Sequence, residues 1–317
     1  MKKLFIIPLI AIALTSCSTN GNPIESKVFC FDTMVEVKLY DGNKDNIRDI
    51  EAILNDYDKL SDNYRSRDIN NVYTINNTND EVIIDERLYS LLQTSFFIKD
   101  KGSSYFNPFC GSLAKKWKDV LKKGETLSNE VINAEIVKIS SSLIEFKANN
   151  IIQRSGEAEI DLGGIAKGYT LDVIQDYLKN HNSKQYLING GSSSLLLGEK
   201  NTKDGLFTIG LKDLNNAYLK LKNCFISTSS ISEQGVKIGD ITYSHIINPN
   251  NGSAINLNDA VIVISDNGAL GDALSTSMMN NDVDEIKAIE TQYNVQTIVI
   301  KNNKIIYQNS GIEVSYH

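Results

Sequence analysis

The order of hydrophobic and polar positions along the chain predicts a mixture of helices and strands. Apolar residues spaced three or four apart predict helices with one buried face, and this spacing occurs at residues 44–60, 85–101, 165–178, 272–279 and 284–293. Short apolar runs bounded by turn residues predict strands, at residues 28–39, in two runs within 131–155 around Asn149-Asn150, and at 185–189, 206–211, 224–228, 260–264, 295–300 and 304–308. Because strands and helices do not alternate regularly, the pattern predicts an α+β fold with mixed sheets flanked by helices, rather than a doubly wound parallel sheet.

The first hydrophobic run has the character of a secretion signal. Lys2 and Lys3 precede an apolar run at residues 4–14. That run is too short for a transmembrane helix of about 20 residues but is typical of the core of a signal peptide. It ends in Leu14-Thr15-Ser16-Cys17, which resembles the bacterial lipobox, in which the cysteine is lipidated and becomes the new N-terminus. The alternative is an ordinary secretory signal with a chance cysteine.

The lipobox interpretation divides the chain into three parts. Residues 1–16 are a lipoprotein signal peptide, the polar and turn-rich residues 17–26 are a tether, and residues 27–317 form the folded domain. The expected location is the extracytoplasmic face of the bacterial cell membrane, where lipid on Cys17 is the anchor.

Composition excludes several classes of protein. The 317 residues are 41% hydrophobic and 22% charged, which is ordinary for a globular protein and unlike a disordered chain. The net charge of -7 argues against a nucleic-acid-binding surface, which needs clustered lysine and arginine. Three histidines and four cysteines, with no CxxC pair, argue against a multi-ligand zinc or iron–sulfur site. Cys30, Cys110 and Cys224 are expected to be small buried hydrophobic residues without a disulfide framework.

The sharpest local motif is EIDLGGIAKGY at residues 159–169, where a short strand leads into a glycine pair and a helix. Such a turn presents backbone N–H groups and lets a ligand approach closely, which suits a phosphate. The spacing matches neither a P-loop nor the GxGxxG dinucleotide motif. The alternative is a tight turn in which Asp161 only caps the helix.

Two other segments place polar side chains where a site could lie. His245 stands between a predicted strand and an Asn-Pro turn, a common position for a functional side chain, although a lone histidine is usually structural or exposed. Tyr64 stands beside Arg65 and Arg67, a combination that can stack on a planar ring or contact an anion. The alternative there is a solvated helix end.

Asp272 and Thr276 are four residues apart on a predicted helix and therefore share one face. A carboxylate and a hydroxyl are ligands that suit Mg²⁺, a hard cation that binds oxygen. By itself the pair favours the alternative, in which Asp272 is a simple helix cap.

In chain order these motifs resemble those of the ApbE-type FAD:protein FMN transferases, bacterial enzymes also known as flavin-trafficking lipoproteins. The resemblance extends from about residue 27 to about residue 308. Its most specific parts are the runs DLGGIAKGY, SHIINP and DALST. Shorter matches are Phe31-Asp32-Thr33, Tyr64, Tyr105-Phe106-Asn107-Pro108, Asn189-Gly190-Gly191 and Ser227-Thr228-Ser229.

The resemblance implies an ApbE-like (T-fold-like) architecture and a specific reaction. A Ser or Thr hydroxyl of an acceptor protein attacks the FMN-side phosphorus of FAD with Mg²⁺ present, AMP leaves, and FMN stays attached by a phosphoester. The implied catalytic residues are His245, which accepts or orients the hydroxyl proton, and Asp161. The implied Mg²⁺ site comprises Gly164, Asp272, Ser275 and Thr276. The implied FAD-binding residues are Phe31, Tyr64, Tyr105, Phe106, Asn107, Asp161, Lys167 and Ile246.

The chain departs from the usual family pattern at several positions, and each difference removes a charged side chain or a usual contact from the predicted site. Asn107 and Asn248 stand where an aspartate is common, Ser192 follows the glycine pair where an acid is common, and residues 230–234 lack the usual Tyr and Arg.

Two other functions remain open. Water could replace the acceptor hydroxyl, which would make the protein an FAD pyrophosphatase, or the protein could be a lipid-anchored flavin-binding protein without catalysis.

Overall fold

A computed structural model describes residues 22–101, 105–191 and 193–317, so Cys17 and the predicted leader lie outside the described residues. The strands are β1 Ile24–Cys30, β2 Thr33–Leu39, β3 Glu81–Ile83, β4 Leu143–Lys147, β5 Ile151–Ser155, β6 Tyr186–Gly190, β7 Ser194–Leu197, β8 Phe207–Gly210, β9 Ala217–Leu221, β10 Cys224–Ser230, β11 Val236–Ile238, β12 Ile241–Tyr243, β13 Ala260–Ser265, β14 Gln296–Lys301, β15 Lys304–Gln308 and β16 Ser315–Tyr316. The helices are α1 Lys44–Ser61, α2 Val72–Asn76, α3 Glu86–Lys101, α4 Gly111–Leu121, α5 Asn129–Ser141, α6 Ala166–Asn180, α7 Gly268–Met278 and α8 Val283–Tyr293.

The main sheet has eight strands in the order β1-β2-β6-β7-β10-β13-β14-β15, and every neighbouring pair is antiparallel. Smaller sheets pair β3-β5-β4, β16-β9-β8 and β11-β12. Helices pack against the sheets without a repeated βαβ unit. The predicted α+β class is therefore confirmed.

The central strands are buried on both faces, which explains why they appear in the sequence as continuous apolar runs. In β13, Ile262 and Ile264 belong to one hydrophobic cluster of the core. Val261 and Val263 belong to another, which contains Leu274 and Met278 of α7. Successive side chains of a strand point to opposite faces, so β13 joins two cores and presses α7 against the sheet.

Two predicted elements differ from the structure. Residues 28–39 were expected to form one strand, but Phe31 and Asp32 adopt positive φ angles of 52° and 55° and turn the chain into the β1–β2 hairpin. The two strands around Asn149-Asn150 are present, but the start of the 131–155 segment belongs to α5. Its apolar residues Ile132, Ile136 and Ile139 have helical spacing.

The first strand begins at Ile24, within the ten residues expected to form the tether. In the described part of the chain, no helix is long and apolar enough to cross a membrane.

Candidate active site

The candidate site is a cleft where α6 and α7 cross, with about 910 Å³ of empty space including its open mouth. The crossing is close because glycines meet there. A Cβ atom on Gly168 would lie 2.0 Å from the carbonyl oxygen of Gly268, a distance that no side chain tolerates. The contact of the two backbones brings the first turn of α6 within reach of side chains on α7.

Asp272 lies at this helix crossing and is buried in the floor of the cleft, with 6% of its surface exposed. One carboxylate oxygen accepts the Gly168 N–H at 2.7 Å. The other accepts hydroxyl hydrogens from Ser227 at 2.6 Å and Ser194 at 2.9 Å. Asn267 caps α7, so the alternative that Asp272 caps its own helix is wrong.

The charge of Asp272 has no ion-pair partner within salt-bridge distance among the described residues. Burial raises the pKa of its carboxyl group, although the charge of Lys167 and the hydrogen bonds lower it in part. A buried carboxylate without a paired cation is costly. A cation in the cleft would stabilise the charged form of Asp272.

The other predicted metal residues lie beside Asp272 and supply only oxygen atoms. A Cβ atom on Gly164 would lie 3.2 Å from the Thr276 hydroxyl oxygen, and the Ser275 hydroxyl lies 3.0 Å from that of Ser229. Within the described residues there is no cluster of three or more His, Cys, Asp or Glu side chains that could hold a metal. One carboxylate with hydroxyl and backbone oxygens does not suit zinc but fits Mg²⁺, which usually keeps several waters.

Two side chains form hydrogen bonds to the backbone of the loop that carries Asp161. The Asn76 amide donates to the Ile160 carbonyl at 2.8 Å and accepts the Ile160 N–H at 2.7 Å. Arg154 is buried and donates to backbone carbonyl oxygens, among them that of Ala158 at 3.1 Å. These bonds fix the backbone that leads into the glycine pair.

Asp161 itself is partly exposed and accepts the Gly163 N–H at 2.7 Å. The residue that precedes α6 is Ile165, which makes no side-chain cap. Asp161 therefore closes a local turn at the cleft wall and does not cap the helix. Lys167, in the first turn of α6, also lines the cleft, and its charge lowers the pKa of both Asp272 and His245.

His245 lies on a loop that follows β12 and is closed by a hydrogen bond from the Ser244 N–H to the Ala254 carbonyl, at 2.8 Å. The Trp117 indole fixes the far end of the loop by donating to the Gly252 carbonyl at 2.9 Å. The imidazole lines the cleft and is still exposed to solvent at its mouth. Desolvation by the cleft wall, helped by the charges of Lys167 and Lys118, lowers the pKa of His245 to about 4. The imidazole is therefore neutral and able to accept a proton at pH 7.

Four other predicted FAD-binding residues line the same cleft: Tyr105, Phe106, Asn107 and Ile246. The side-chain oxygen of Asn107 is already engaged, since it accepts the Phe109 N–H at 3.0 Å and caps a short 3₁₀ turn. Asn248, the other substituted position, accepts the Asn250 N–H at 2.9 Å within its own loop. Ser192 lies outside the described residues.

Phe31 and Tyr64 are not among the residues that line the cleft. The Phe31 N–H donates to Asp58 at 2.6 Å at the β1–β2 turn. Tyr64 is 47% exposed, and its ring lies 4.9 Å from the Lys115 ammonium nitrogen and 5.0 Å from that of Lys118. That these two residues contact FAD therefore remains a prediction.

The two arginines beside Tyr64 pair with an acid of their own segment. Asp62 forms ion pairs with Arg65 at 3.1 Å and with Arg67 at 2.6 Å. The cationic groups next to the Tyr64 ring come instead from α4, a helix that the sequence pattern did not predict.

Three further residues that the motifs did not indicate also line the cleft: Cys110, Ser194 and Glu233. Ser229, which lines it too, had been noted only as part of the resemblance. Ser227, which bonds to Asp272, had been noted only as part of the resemblance. The run CFISTSS in β10 carried a signal, because hydroxyl groups at alternate positions of a strand share one face. Cys30 and Cys224 are buried as predicted, whereas Cys110 is half-buried in the cleft wall.

The chain is similar in sequence to a known family of proteins. The sequence model of the ApbE family matches residues 31–299. The FAD:protein FMN transferase of Treponema pallidum is 22% identical over 253 residues, which is 73% of this chain and 70% of the relative. The protein of the same name from Klebsiella pneumoniae is 27% identical over 240 residues, which is 72% and 73% of the two chains.

Solved structures share the fold. A crystal structure of the ApbE protein of Thermotoga maritima superposes with a TM-score of 0.75 at 21% identity, over 93% of this chain and 96% of the other. The apo form of the flavinyl transferase ApbE of Pseudomonas stutzeri gives a TM-score of 0.74 at 20% identity, over 91% and 95% of the two chains. Since the family's sequence model covers most of the chain, the resemblance drawn from the motifs is confirmed, and the chain belongs to the ApbE family.

Proposed function

We propose that this protein is an FAD:protein FMN transferase that needs Mg²⁺, attaches FMN to a Ser or Thr hydroxyl of an acceptor protein, and releases AMP. One observation carries the proposal. The α6–α7 crossing assembles a buried carboxylate (Asp272), a hydroxyl (Thr276) and an ammonium group (Lys167) in one cleft with a neutral imidazole (His245). The names of the curated relatives support the same reaction.

The substrate's pyrophosphate is an anion, and Asp272 is an anion in the same cleft. Without a cation between them the two would repel. Asp272, Thr276, Ser275 and the backbone at Gly164 would hold Mg²⁺, displacing one of the serine hydroxyls that now satisfy the carboxylate. Bound there, Mg²⁺ supplies charge neutralisation for phosphoryl transfer, a reaction that asks the protein mainly for positioning and electrostatics.

The chain's own residues would accept the proton, stabilise the phosphate charge and orient the substrate. The acceptor oxygen forms a bond to the FMN-side phosphorus, the bond from that phosphorus to the bridging oxygen breaks, and AMP leaves with the electron pair. His245 takes the hydroxyl proton, and Lys167 stabilises negative charge on the phosphates. Asp161 and Phe106 orient the substrate along the cleft wall.

The lowered pKa of His245 leads to a prediction about pH. A proton acceptor must be neutral, so the rate falls when the imidazole is protonated. We expect kcat/KM at saturating Mg²⁺ to fall below a pH of about 4 and to be level through the usual histidine range near 6.5. The measurement is a pH profile with folding checked by circular dichroism at each point. Half-loss of activity near pH 6.5 would show that the cleft does not depress this pKa.

The same cleft could use water as the nucleophile, which would give FMN and AMP. It could also bind FAD without reacting, but the neutral, solvent-accessible imidazole of His245 beside the phosphate-binding groups favours catalysis. Incubating the purified protein with FAD and Mg²⁺ separates the three. AMP only in the presence of an acceptor protein indicates transfer, AMP without an acceptor indicates hydrolysis, and no AMP indicates binding alone.

We also propose that Cys17 carries the membrane anchor, on the basis of the Leu14-Thr15-Ser16-Cys17 run behind an apolar segment. A single acyl chain binds membranes only marginally, so stable anchoring requires more than one. Cys17→Ser is expected to leave the protein unprocessed or to release it from the membrane fraction, which fractionation and lipid labelling would measure. A mutant that is still mature, lipid-labelled and membrane-bound would refute the anchor.

A further inference from the structure

We propose that Asp172 is a positioning residue that, together with Asp272, clamps α6 to α7 and thereby sets the geometry of the metal-binding face. Each helix gives one carboxylate to the backbone at the start of the other. The inference rests on the proposed function for the identity of the site, but the clamp itself is a feature of the fold.

The hydrogen bonds of the clamp are reciprocal. Asp172, on α6, accepts the Gly268 N–H at 2.6 Å and the Ala269 N–H at 2.8 Å, both in the first turn of α7. Asp272, on α7, accepts the Gly168 N–H at 2.7 Å, in the first turn of α6. The close approach of Gly168 and Gly268 leaves room for both.

The three N–H groups involved are ones that a helix cannot satisfy internally, because the first four amides of an α-helix lack a partner one turn earlier. A carboxylate near a helix N-terminus is also favoured by the helix dipole. Local caps do not replace these bonds. The Asn267 side chain reaches the Leu270 N–H at 2.8 Å, and the residue before α6, Ile165, offers no side-chain acceptor.

The clamp affects the site because the proposed metal ligands and Lys167 lie on these two helices or directly before the first of them. Gly164 precedes α6, whereas Asp272, Ser275 and Thr276 are on α7. A small slide of α7 along α6 would separate the Gly164 backbone from the Thr276 hydroxyl, which adjoin it now. Partners that orient metal ligands typically change metal affinity by roughly 10–100-fold when removed.

The test compares Asp172→Ala with Asn267→Ala, a matched control that removes a cap from the same end of α7 but makes no bond to α6. The first readout is hydrogen exchange of the Gly168 amide, which Asp172 does not touch. We expect Asp172→Ala to speed this exchange by about tenfold, because loss of one arm loosens the other, and Asn267→Ala to leave it unchanged.

The second readout is the affinity of the FAD-free protein for Mn²⁺, used as a spectroscopic probe of the Mg²⁺ site. Asp172→Ala is expected to weaken it by roughly 10–100-fold, and Asn267→Ala to leave it unchanged. If Asp172→Ala does not fold, Asp172→Asn keeps the size and one acceptor, and should give a smaller change of the same sign in both readouts.

Equal effects of the Asp172 and Asn267 variants, or no effect of either, would overturn the positioning role and leave Asp172 as an ordinary cap. A failure of the proposed metal site would give a different result from a failure of the clamp. A wild-type protein that binds no Mn²⁺ refutes the metal assignment, and the Gly168 exchange rate then decides the clamp by itself.

Discussion

Replacing Asp272 by Asn is expected to abolish Mg²⁺-dependent AMP release. The substitution keeps the shape of the side chain and an oxygen that can accept the Gly168 N–H, but it removes the single carboxylate that we propose as a metal ligand. Without it, the anionic pyrophosphate loses the cation that allows it to occupy the cleft. AMP release at a series of Mg²⁺ concentrations measures the effect.

The stability of the ligand-free protein is not expected to fall with the activity. Because burial raises the pKa of Asp272, its charged form destabilises the ligand-free protein at neutral pH. The melting temperature of Asp272→Asn without ligand is therefore expected to stay the same or to rise. Asp266→Asn, an exposed acid near the start of α7, is the control for a change in charge. Full activity of Asp272→Asn at low Mg²⁺ would show that the metal assignment is wrong.

Replacing His245 by Ala is expected to slow FMN transfer by about 10²–10⁴-fold, the usual contribution of general acid–base help. The affinity for FAD should change by no more than a few-fold, since the imidazole lies at the mouth of the cleft. Single-turnover transfer rates and flavin fluorescence titrations measure the two quantities separately.

His181→Ala is the matched control for this variant. His181 is exposed and stacks on Tyr177 with ring centroids 4.1 Å apart, and it does not line the cleft. Its loss should leave transfer unchanged. If His245→Ala transfers FMN at the wild-type rate, the proton acceptor is elsewhere, and Asp161 or Glu233 in the cleft wall would be the next residue to replace.

Local sequence patterns predicted those parts of the structure that depend on local physics. Most helices with one apolar face and most of the buried central strands were identified, and the glycine-rich loop was expected to lie at a site. The exceptions are the helix α4 and the buried central strand β7, which were not predicted. The β1–β2 hairpin was missed because its turn residues, Phe31 and Asp32, are not glycine or asparagine, which usually mark a positive φ. The half-exposed helix α5 was missed because its apolar face is narrow.

The surroundings of Asp272 could not have been predicted in the same way. Ser194 and Ser227 reach it from β7 and β10, which are neighbours only because of the strand order of the main sheet. Asp172 stands one helical turn after Gly168, and nothing in its local sequence shows that it reaches the backbone of α7, 96 residues away. Such contacts depend on how the helices cross, and the crossing is set by two glycines whose packing role appears only in the folded chain.

The most direct test of the proposed function is to measure AMP and acceptor-bound FMN in the same reaction. Purified protein lacking the leader is mixed with FAD, Mg²⁺ and a flavin-acceptor protein, with a second reaction in which the acceptor Ser or Thr is replaced by Ala. We predict one AMP for each FMN attached, and neither product with the Ala acceptor. AMP released at the same rate with either acceptor, with no flavin on the protein, would contradict transfer and show that the cleft hydrolyses FAD.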